Sequence, residues 1–498
     1  MTFTPATPSK KVKRTSGLDW KPTAYMKRAM RWILEHPACG LFLDPGLRKT
    51  SITLGAFRLL KAKGMVRRML VVAPVRVMYN VWPSEVEKWA QFQDLKIAVL
   101  HGADKSDDLL NDESIDIFVI NPEGLDWLLA KPGKKKGELL PNLERFKRLD
   151  CQMFVLDESS KFKNTQTKRF KLLRPFLPKF LRRVILTGSP APKNHLDLFG
   201  QVYIMDQGAS LGPYITHYRN KFFDPTGFGG FSWKLRDGSK ELIQKKIKPY
   251  VLRLEAEDHI SIPKLLEPDI WVDLPPKARE IYDEMEDELL YILEGGDTLS
   301  APTASAARGK CAQIAGGAVY KNPEGIEVRG KMDFIDVHDA KLQALEEFLN
   351  ERQGQPTMVC YWYQHELVRI RNFLGKKFGD LPSISEVSLK KGKEIEDAWN
   401  RNEISVLLAQ PASVGHGLNM QGGDAQHVFW YTLPDDYDIY DQTIRRLRRS
   451  GNESSHVFSH RCMARNTVDA VKSKMLAKKG ANQKDFLDAM KSYRPRKK

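Results

Sequence analysis

The chain has 498 residues, which is too long for one hydrophobic core and sufficient for two or three domains. Its 42% hydrophobic and 28% charged residues, with no apolar run near the roughly 18 residues of a membrane span, predict a globular protein and not a membrane protein. The 79 lysines and arginines outnumber the 62 acidic residues, and the net charge of +17 indicates a phosphate-bearing partner such as a nucleic acid, or else serves solubility alone.

The cysteines and the N-terminus bear on the cellular compartment. Five cysteines are scattered along the chain without a C-x-x-C pair, which argues against a disulfide framework or a zinc site. The N-terminal residues are basic but no apolar stretch follows them, so they do not form a secretory signal. We expect a cytoplasmic protein, in a bacterial or phage-infected cell, and interpret residues 1–17 as a flexible basic tail.

From residue 18 to about 254, short apolar runs alternate with helical stretches. The runs are apolar on both faces, which is typical of strands covered by helices on either side, and their spacing leaves room for right-handed crossovers. They are LFLD (41–44), MLVVAP (69–74), DIFVIN (116–121), QMFVLDE (152–158) and RVILTGSP (183–190). This alternation predicts an α/β lobe around a mostly parallel sheet.

A second series of such runs predicts a second lobe over residues 336–498. Its members are TMVCYWY (357–363), ISVLLAQ (404–410), HVFWYTL (427–433) and SHVFSHRC (455–462). Residues 255–335 contain the helix-like AREIYDEMEDELLYILE and a stretch rich in glycine, proline and alanine, and we interpret them as a linker with a helical insertion. The glycine-rich residues 225–239 predict a surface loop or hairpin.

A candidate phosphate loop follows the first strand. Residues 45–51 read Pro-Gly-Leu-Arg-Lys-Thr-Ser and lead into the helical ITLGAFRLLKAKG, so backbone N–H groups and a helix dipole converge on one point. Lys49 would reach the outer phosphates of a nucleotide, and the Thr50 hydroxyl would bind Mg²⁺. Arg48 stands where a glycine is usual before the lysine. Alone, this motif is equally consistent with a basic strand-to-helix turn.

A carboxylate pair ends the strand QMFVLDE. The C-terminal edge of a parallel strand faces the place where α/β folds bind ligands. Asp157 would hold Mg²⁺, and Glu158 would orient and deprotonate an attacking water. An isolated Asp-Glu pair could also be two solvated acids, but this pair follows a buried strand downstream of the candidate phosphate loop.

In this order the motifs resemble those of the Swi/Snf-like branch of helicase superfamily two, specifically its small phage-type members, over residues 18–493. In the first half, the resembling motifs are DPGLRKTS (44–51), VVAPVRVMYNVWPSEVEKW (71–89), VLDESSKFKN (155–164) and LTGSPAPKN (186–194). In the second half they are AQPASVGHGLNMQGGDAQHVFWY (409–431) and the arginine motif DQTIRRLRRSGNESSHVFSH (441–460).

The resemblance implies an α/β fold of two tandem RecA-like lobes that bind ATP and Mg²⁺ between them. Arg446 and Arg449 would lie on one face of a helix and reach the γ-phosphate, although RRLRR alone would fit a solvated basic helix. Met26 replaces the usual adenine-recognising glutamine. The implied catalytic residues are Lys49, Asp157, Glu158, Arg446 and Arg449. The implied cofactor-binding residues are Tyr25, Gly46, Leu47, Arg48, Lys49, Thr50, Ser51, Gly417 and Gln442, with Thr50 and Asp157 as metal ligands.

The resemblance also implies a nucleic-acid track across both lobes. Its residues would contact phosphates and carry no sequence code. They are Pro74, Arg76, Lys163, Asn164, Thr187 and Ser189 on the first lobe, and Ser413, Gly415 and His416 on the second. The implied function is monomeric, ATP-dependent translocation along double-stranded DNA by lobe closure. Two alternatives remain open: a nucleic-acid-binding protein whose ATPase is weakened or lost, because of Arg48 and Met26, and an RNA helicase.

Overall fold

The computed structural model describes residues 17–102, 105–133, 138–188, 195–226, 232–294, 301–321, 333–379, 381–383, 389–414 and 418–477. The strands are β1 (Ala38–Leu43), β2 (Met69–Val72), β3 (Ile97–Leu100), β4 (Ile117–Ile120), β5 (Ala130–Pro132), β6 (Leu139–Pro141), β7 (Met153–Leu156), β8 (Arg182–Thr187), β9 (Phe223–Thr226), β10 (Ser232–Leu235), β11 (Val251–Leu254), β12 (Lys264–Leu266), β13 (Asp269–Val272), β14 (Ala318–Tyr320), β15 (Phe334–Asp336), β16 (Thr357–Cys360), β17 (Val406–Ala409), β18 (His427–Trp430) and β19 (His456–Ala464).

The helices connect these strands in an α/β pattern. They are α1 (Ala24–Glu35), α2 (Lys49–Ala62), α3 (Val75–Asn80), α4 (Trp82–Lys88), α5 (Asp107–Asn111), α6 (Leu125–Leu129), α7 (Leu143–Leu149), α8 (Lys168–Leu173), α9 (Asp197–Asp206), α10 (Ile215–Phe222), α11 (Ser239–Ile247), α12 (Pro276–Glu294), α13 (Ala301–Gly316), α14 (Ala340–Arg352), α15 (Gln364–Phe378), α16 (Leu389–Asn400), α17 (Pro411–Val414), α18 (Tyr437–Ile444) and α19 (Val468–Ala477). Among these described helices, none is both long enough and apolar enough to cross a membrane.

The first lobe is built on a seven-stranded sheet in the order β11-β1-β8-β7-β2-β4-β3, in which every pairing is parallel. Successive residues of a strand point to opposite faces, so β2 contributes Val71 to one core and Leu70 and Val72 to the other. Burial on both faces explains the continuous apolar runs of the sequence, and the five predicted strands are confirmed as β1, β2, β4, β7 and β8.

The second lobe is built on a smaller parallel sheet in the order β12-β19-β18-β16-β17, and β13 also pairs with β19. The four predicted strands are confirmed as β16 to β19. The sequence led us to interpret residues 255–335 as a linker with a helical insertion. The structure shows that this segment also supplies β12 and β13 to the second sheet. Both strands are short and partly exposed, so they left no continuous apolar run in the sequence.

The same segment contains α12 and α13, in agreement with the predicted helical insertion, and also β14, which pairs antiparallel with β15. Helices α12 and α13 pack against α19 through a core that includes Tyr282, Cys311 and Val468. Strands β9 and β10 pair antiparallel, so the hairpin predicted within residues 225–239 is confirmed for its described part. All five cysteines are buried and unpaired.

Candidate nucleotide site between the two lobes

The segment between β1 and α2 turns sharply around Gly46 and Arg48. Gly46 has a φ of 91°, and Arg48, the N-cap of α2, has φ 49° and ψ 41°. This left-handed conformation is free for glycine and costs an arginine about 1–2 kcal/mol. Arg48 therefore adopts the conformation that a glycine would have at this position, and its guanidinium carbon lies 5.6 Å from the ring centroid of Trp89.

Lys49 begins α2 and reaches back to the end of β1. Its Nζ donates to the Leu43 carbonyl at 2.8 Å and lies 3.4 Å from the Asp44 carbonyl. Burial lowers the pKa of Lys49, and the negative charges of Glu158 and Asp157 oppose that shift. A desolvated cation beside the free N–H groups of a helix N-terminus is a site suited to phosphate.

The carboxylates of Asp157 and Glu158 follow the end of β7, in the same sheet as β1. The indole Nε1 of Trp82 donates to Asp157 Oδ2 at 3.0 Å, and the Glu158 backbone N–H donates to Asp157 Oδ1 at 3.0 Å. Burial raises the pKa of Asp157 to about 6, and the adjacent Glu158 charge adds to the shift. Glu158 has a left-handed backbone with φ 51°, and both carboxylates line the same cleft.

The second lobe contributes the arginine motif. Gln442 lies on α18, but that helix ends at Ile444, so Arg446 and Arg449 lie in the turn that follows and not on a helix as the sequence suggested. Arg446 Nη1 donates to the Leu418 carbonyl at 3.2 Å, and Arg449 Nη1 donates to Asn419 Oδ1 at 2.8 Å. Burial lowers the pKa of both guanidinium groups, and that of Arg449 falls to about 10, so Arg449 stays cationic at neutral pH.

These groups line one cleft between the lobes. A Cβ placed on Gly46 would lie 3.5 Å from Arg449 Cγ, so the arginine motif lies close to the candidate phosphate loop. The sequence-predicted residues that line the cleft are Gly46, Arg48, Lys49, Thr50, Ser51, Asp157, Glu158, Gln442, Arg446 and Arg449. The structure thus brings together cations and carboxylates from distant parts of the chain.

Two of the predicted cofactor residues, Leu47 and Tyr25, do not line the cleft. Leu47 is fully buried in the core of the first lobe. Tyr25 lies outside the residues that line the cleft and stacks on His259, with ring centroids 5.3 Å apart and planes 20° apart. Gly417 lies outside the described residues.

A third arginine of the motif, Arg445, was not singled out by sequence and makes an ion pair between the lobes. Arg445 Nη1 lies 3.5 Å from Asp44 Oδ2, and Arg445 Nε lies 2.7 Å from Asp441 Oδ2 on α18. Asp44 Oδ2 also accepts from the Ala256 backbone N–H at 3.1 Å. One carboxylate therefore joins the phosphate loop, the start of the connection between lobes and the arginine motif.

The predicted nucleic-acid residues that the structure describes are not among those that line the cleft. Arg76, on α3, donates from Nη1 to the Ser413 carbonyl on α17 at 2.6 Å, so these two predicted contacts touch each other across the lobes. Lys163 Nζ lies 3.4 Å from Asp197 Oδ2, and Asn164 accepts from the Gln166 N–H in a turn. Pro74 is the N-cap of α3 and Thr187 is buried at the end of β8. Ser189, Gly415 and His416 lie outside the described residues.

The residues of the cleft fit a nucleoside triphosphate with Mg²⁺. The cationic side chains of Lys49, Arg446 and Arg449 and the N-terminus of α2 suit the phosphates. Mg²⁺ is usually held by one or two carboxylates together with substrate phosphates, which Asp157 and the Thr50 hydroxyl match. Over the described residues, no group of three or more His, Cys, Asp or Glu side chains could hold a metal ion alone.

Comparison with known protein families gives two matches. The family model described as the SNF2-related domain matches residues 17–315, and the model described as the helicase conserved C-terminal domain matches residues 340–451. The two matches follow one another along the chain, and the residues that line the cleft fall in both.

Individual relatives are consistent with these matches. Putative protein p41 of Acyrthosiphon pisum secondary endosymbiont phage 1 is 30% identical over 94% of this chain and 98% of its own length. Protein CHROMATIN REMODELING 4 of Arabidopsis thaliana is 23% identical over 94% of this chain but only 22% of its own length. The solved Sulfolobus solfataricus SWI2/SNF2 ATPase core in complex with dsDNA is 20% identical, covers 97% of this chain and 95% of its own, and has a TM-score of 0.43.

Proposed function

The chain belongs to the SNF2-related family of helicase-type ATPases, and we propose that it is an ATP-dependent translocase on double-stranded DNA. The observation that carries the proposal is the cleft in which Lys49 and Glu158 of the first lobe face Arg446 and Arg449 of the second. A site completed by both lobes exists only when they are close together, so nucleotide binding and lobe closure are one event.

In the proposed mechanism each group in the cleft has one task. Lys49 and the N–H groups of α2 hold the phosphates. Thr50 and Asp157 would hold Mg²⁺, which would neutralise charge on the phosphates. Glu158 accepts the proton of the attacking water. Arg446 and Arg449 stabilise the charge that develops on the transferred phosphoryl group, which supports hydrolysis only in the closed arrangement.

Movement along DNA follows if each lobe holds the phosphate backbone separately. Arg76, Lys163, Asn164 and Thr187 would contribute from the first lobe, and Ser413 from the second, together with Pro74, Ser189, Gly415 and His416. Opening and closing would then advance one lobe past the other. Backbone contacts predict binding without sequence preference and with strong salt dependence, as expected for a chain of net charge +17 acting as a monomer.

Hydrolysis measurements test this proposal. The purified chain should hydrolyse ATP faster with double-stranded DNA than with single-stranded DNA, RNA or no nucleic acid. Glu158→Gln should reduce kcat by about a hundredfold or more while leaving ATP binding intact. Glu87→Gln, an exposed carboxylate on α4, is the matched control and should behave as the wild type. Displacement of a triplex-forming strand from duplex DNA would report translocation directly.

The alternative of a DNA-binding protein without ATPase activity is judged by the same assay. DNA binding without hydrolysis under any nucleic acid would favour it, and RNA as the best stimulator would favour an RNA helicase. The backbone of Arg48 supports the active enzyme, because the loop keeps the left-handed turn that a phosphate loop uses despite the missing glycine.

A further inference from the structure

Trp82 makes a contact with the candidate metal carboxylate that the mechanism above does not use. It is the first residue of α4, is fully buried, and donates its indole N–H to Asp157 Oδ2 at 3.0 Å. The other oxygen, Oδ1, accepts from the Glu158 backbone N–H. The two bonds together fix the plane of the Asp157 carboxylate, because rotation about its Cβ–Cγ bond would break both.

Trp82 also lies two residues after the end of α3, the helix that is predicted to contact DNA. Only Val81 separates α3 from α4, and its backbone bonds to both sides: its N–H donates to the Val77 carbonyl at 3.0 Å, and its carbonyl accepts from the Glu85 N–H at 2.9 Å. A displacement of α3 is therefore transmitted to Trp82. Helix α3 carries Arg76, which already contacts the second lobe at Ser413.

We propose that Trp82 is a positioning residue that links the DNA-contacting helix α3 to the orientation of Asp157, and thereby makes metal binding and hydrolysis respond to DNA. This inference rests on the proposed function and concerns the regulation of the same site. When a phosphate backbone engages Arg76, α3 and α4 move together, and the indole N–H carries that movement to the carboxylate. Without the indole N–H, DNA binding would no longer influence the orientation of Asp157 in the cleft.

A buried tryptophan can also serve packing alone, and its phenylalanine variant separates the two roles. Trp82→Phe keeps an aromatic ring in the core and removes the N–H donor. Trp430→Phe is the matched control, because Trp430 is equally buried and donates to Ser459 Oγ at 3.0 Å, in the core of the second lobe. A packing role predicts similar effects from both variants.

The first measurement is metal affinity, read without turnover. Removal of an outer contact to a metal ligand typically weakens binding by 10- to 100-fold. In Trp82→Phe we expect the Kd of Mn²⁺, titrated by electron paramagnetic resonance on the ADP-bound protein, to rise by about tenfold, and the Mg²⁺ concentration for half-maximal hydrolysis to rise in parallel. Trp430→Phe should change neither. Equal Mn²⁺ affinity in Trp82→Phe and wild type overturns the positioning role.

The second measurement is DNA stimulation. Trp82→Phe at saturating Mg²⁺ should lose most of the increase in kcat that double-stranded DNA produces, while its DNA affinity without nucleotide stays unchanged. Val81→Gly, which weakens the connection between the helices and leaves the Trp82 N–H in place, should lose stimulation but keep the wild-type Mn²⁺ Kd. If Trp82→Phe does not fold, Val81→Gly is the variant on which the coupling is tested. Unchanged stimulation in Trp82→Phe, or in Val81→Gly where Trp82→Phe does not fold, overturns the coupling.

The outcome for the wild type separates this inference from the proposed function. A wild-type chain that hydrolyses ATP equally with and without DNA overturns both the proposed function and the coupling. A wild-type chain that is stimulated, beside a Trp82→Phe variant stimulated to the same extent, overturns only the coupling.

Discussion

The ion pair between Asp44 and Arg445 offers a direct test of whether lobe closure completes the site. The pair spans 3.5 Å between the two lobes, and each side chain is about a fifth exposed. At an effective dielectric constant of about 20, unit charges at this separation attract by roughly 5 kcal/mol. Desolvation and the competing partner Asp441 offset most of this, which leaves about 1 kcal/mol of net coupling.

A coupling of about 1 kcal/mol corresponds to a roughly fivefold change in the ratio of closed to open molecules. A double-mutant cycle of Asp44→Asn, Arg445→Gln and the double variant isolates it. We expect either single variant to reduce the closed fraction and to raise the KM for ATP about fivefold, with kcat at saturating ATP less affected. The double variant should lose little more of the closed fraction than either single variant does.

Closure can be measured by energy transfer between one dye on each lobe, attached at introduced cysteines, since the five native cysteines are buried. Asp441→Asn is the matched control, because it removes the intralobe partner of the same arginine and leaves the cross-lobe pair in place. Single-variant effects that add within about 0.3 kcal/mol, or an equal loss of closure from Asp441→Asn, would refute this account of the pair.

Three further variants test local features. Arg48→Gly should be about 1 kcal/mol more stable than Arg48→Ala in thermal unfolding, because glycine alone adopts the left-handed conformation without strain. Its kcat should stay close to that of the wild type. A large gain in kcat would show that the arginine restrains the site. Burial and neighbouring carboxylates raise the pKa of Asp438 to about 6 from its usual 3.8. The folded state therefore binds the proton more tightly than the unfolded state, and stability is lost as the pH rises through that range. Asp438→Asn should raise the Tm at about pH 8 but not at about pH 4. Gly55→Ala should destabilise by about 1–3 kcal/mol, since its Cβ would lie 2.5 Å from the Trp20 ring, whereas Gly375→Ala, with open space around it, should stabilise slightly.

The central strands of both sheets were predictable because each is buried on two faces and leaves an uninterrupted apolar run, as in β2 and β18. The edge strands β3 and β11 of the first sheet were not predicted. β11 reads Val-Leu-Arg-Leu, and its exposed Arg253 interrupts the apolar run. β3 reads Ile-Ala-Val-Leu and is apolar throughout, so the same pattern could have identified it.

The candidate site shows a similar division. Residues carried by recognisable motifs, such as Lys49 and Glu158, could be named from the sequence, and the structure places them in one cleft. Their supporting partners could not, because the contacts of Asp44 with Arg445 and of Trp82 with Asp157 depend on how distant segments pack. Arg445 lay within the conspicuous RRLRR run, but no spacing rule distinguished it from its neighbours.

The two short strands that the chain forms on leaving the first lobe decide where the protein can be divided. β12 and β13 lie along β19 at residues 456–458 and 461–464, and cover its outer side. A fragment starting at residue 336 would leave that side of β19 with unpaired backbone groups, a ready template for aggregation. An isolated C-terminal half should therefore begin before Lys264, so that it carries its own border strands.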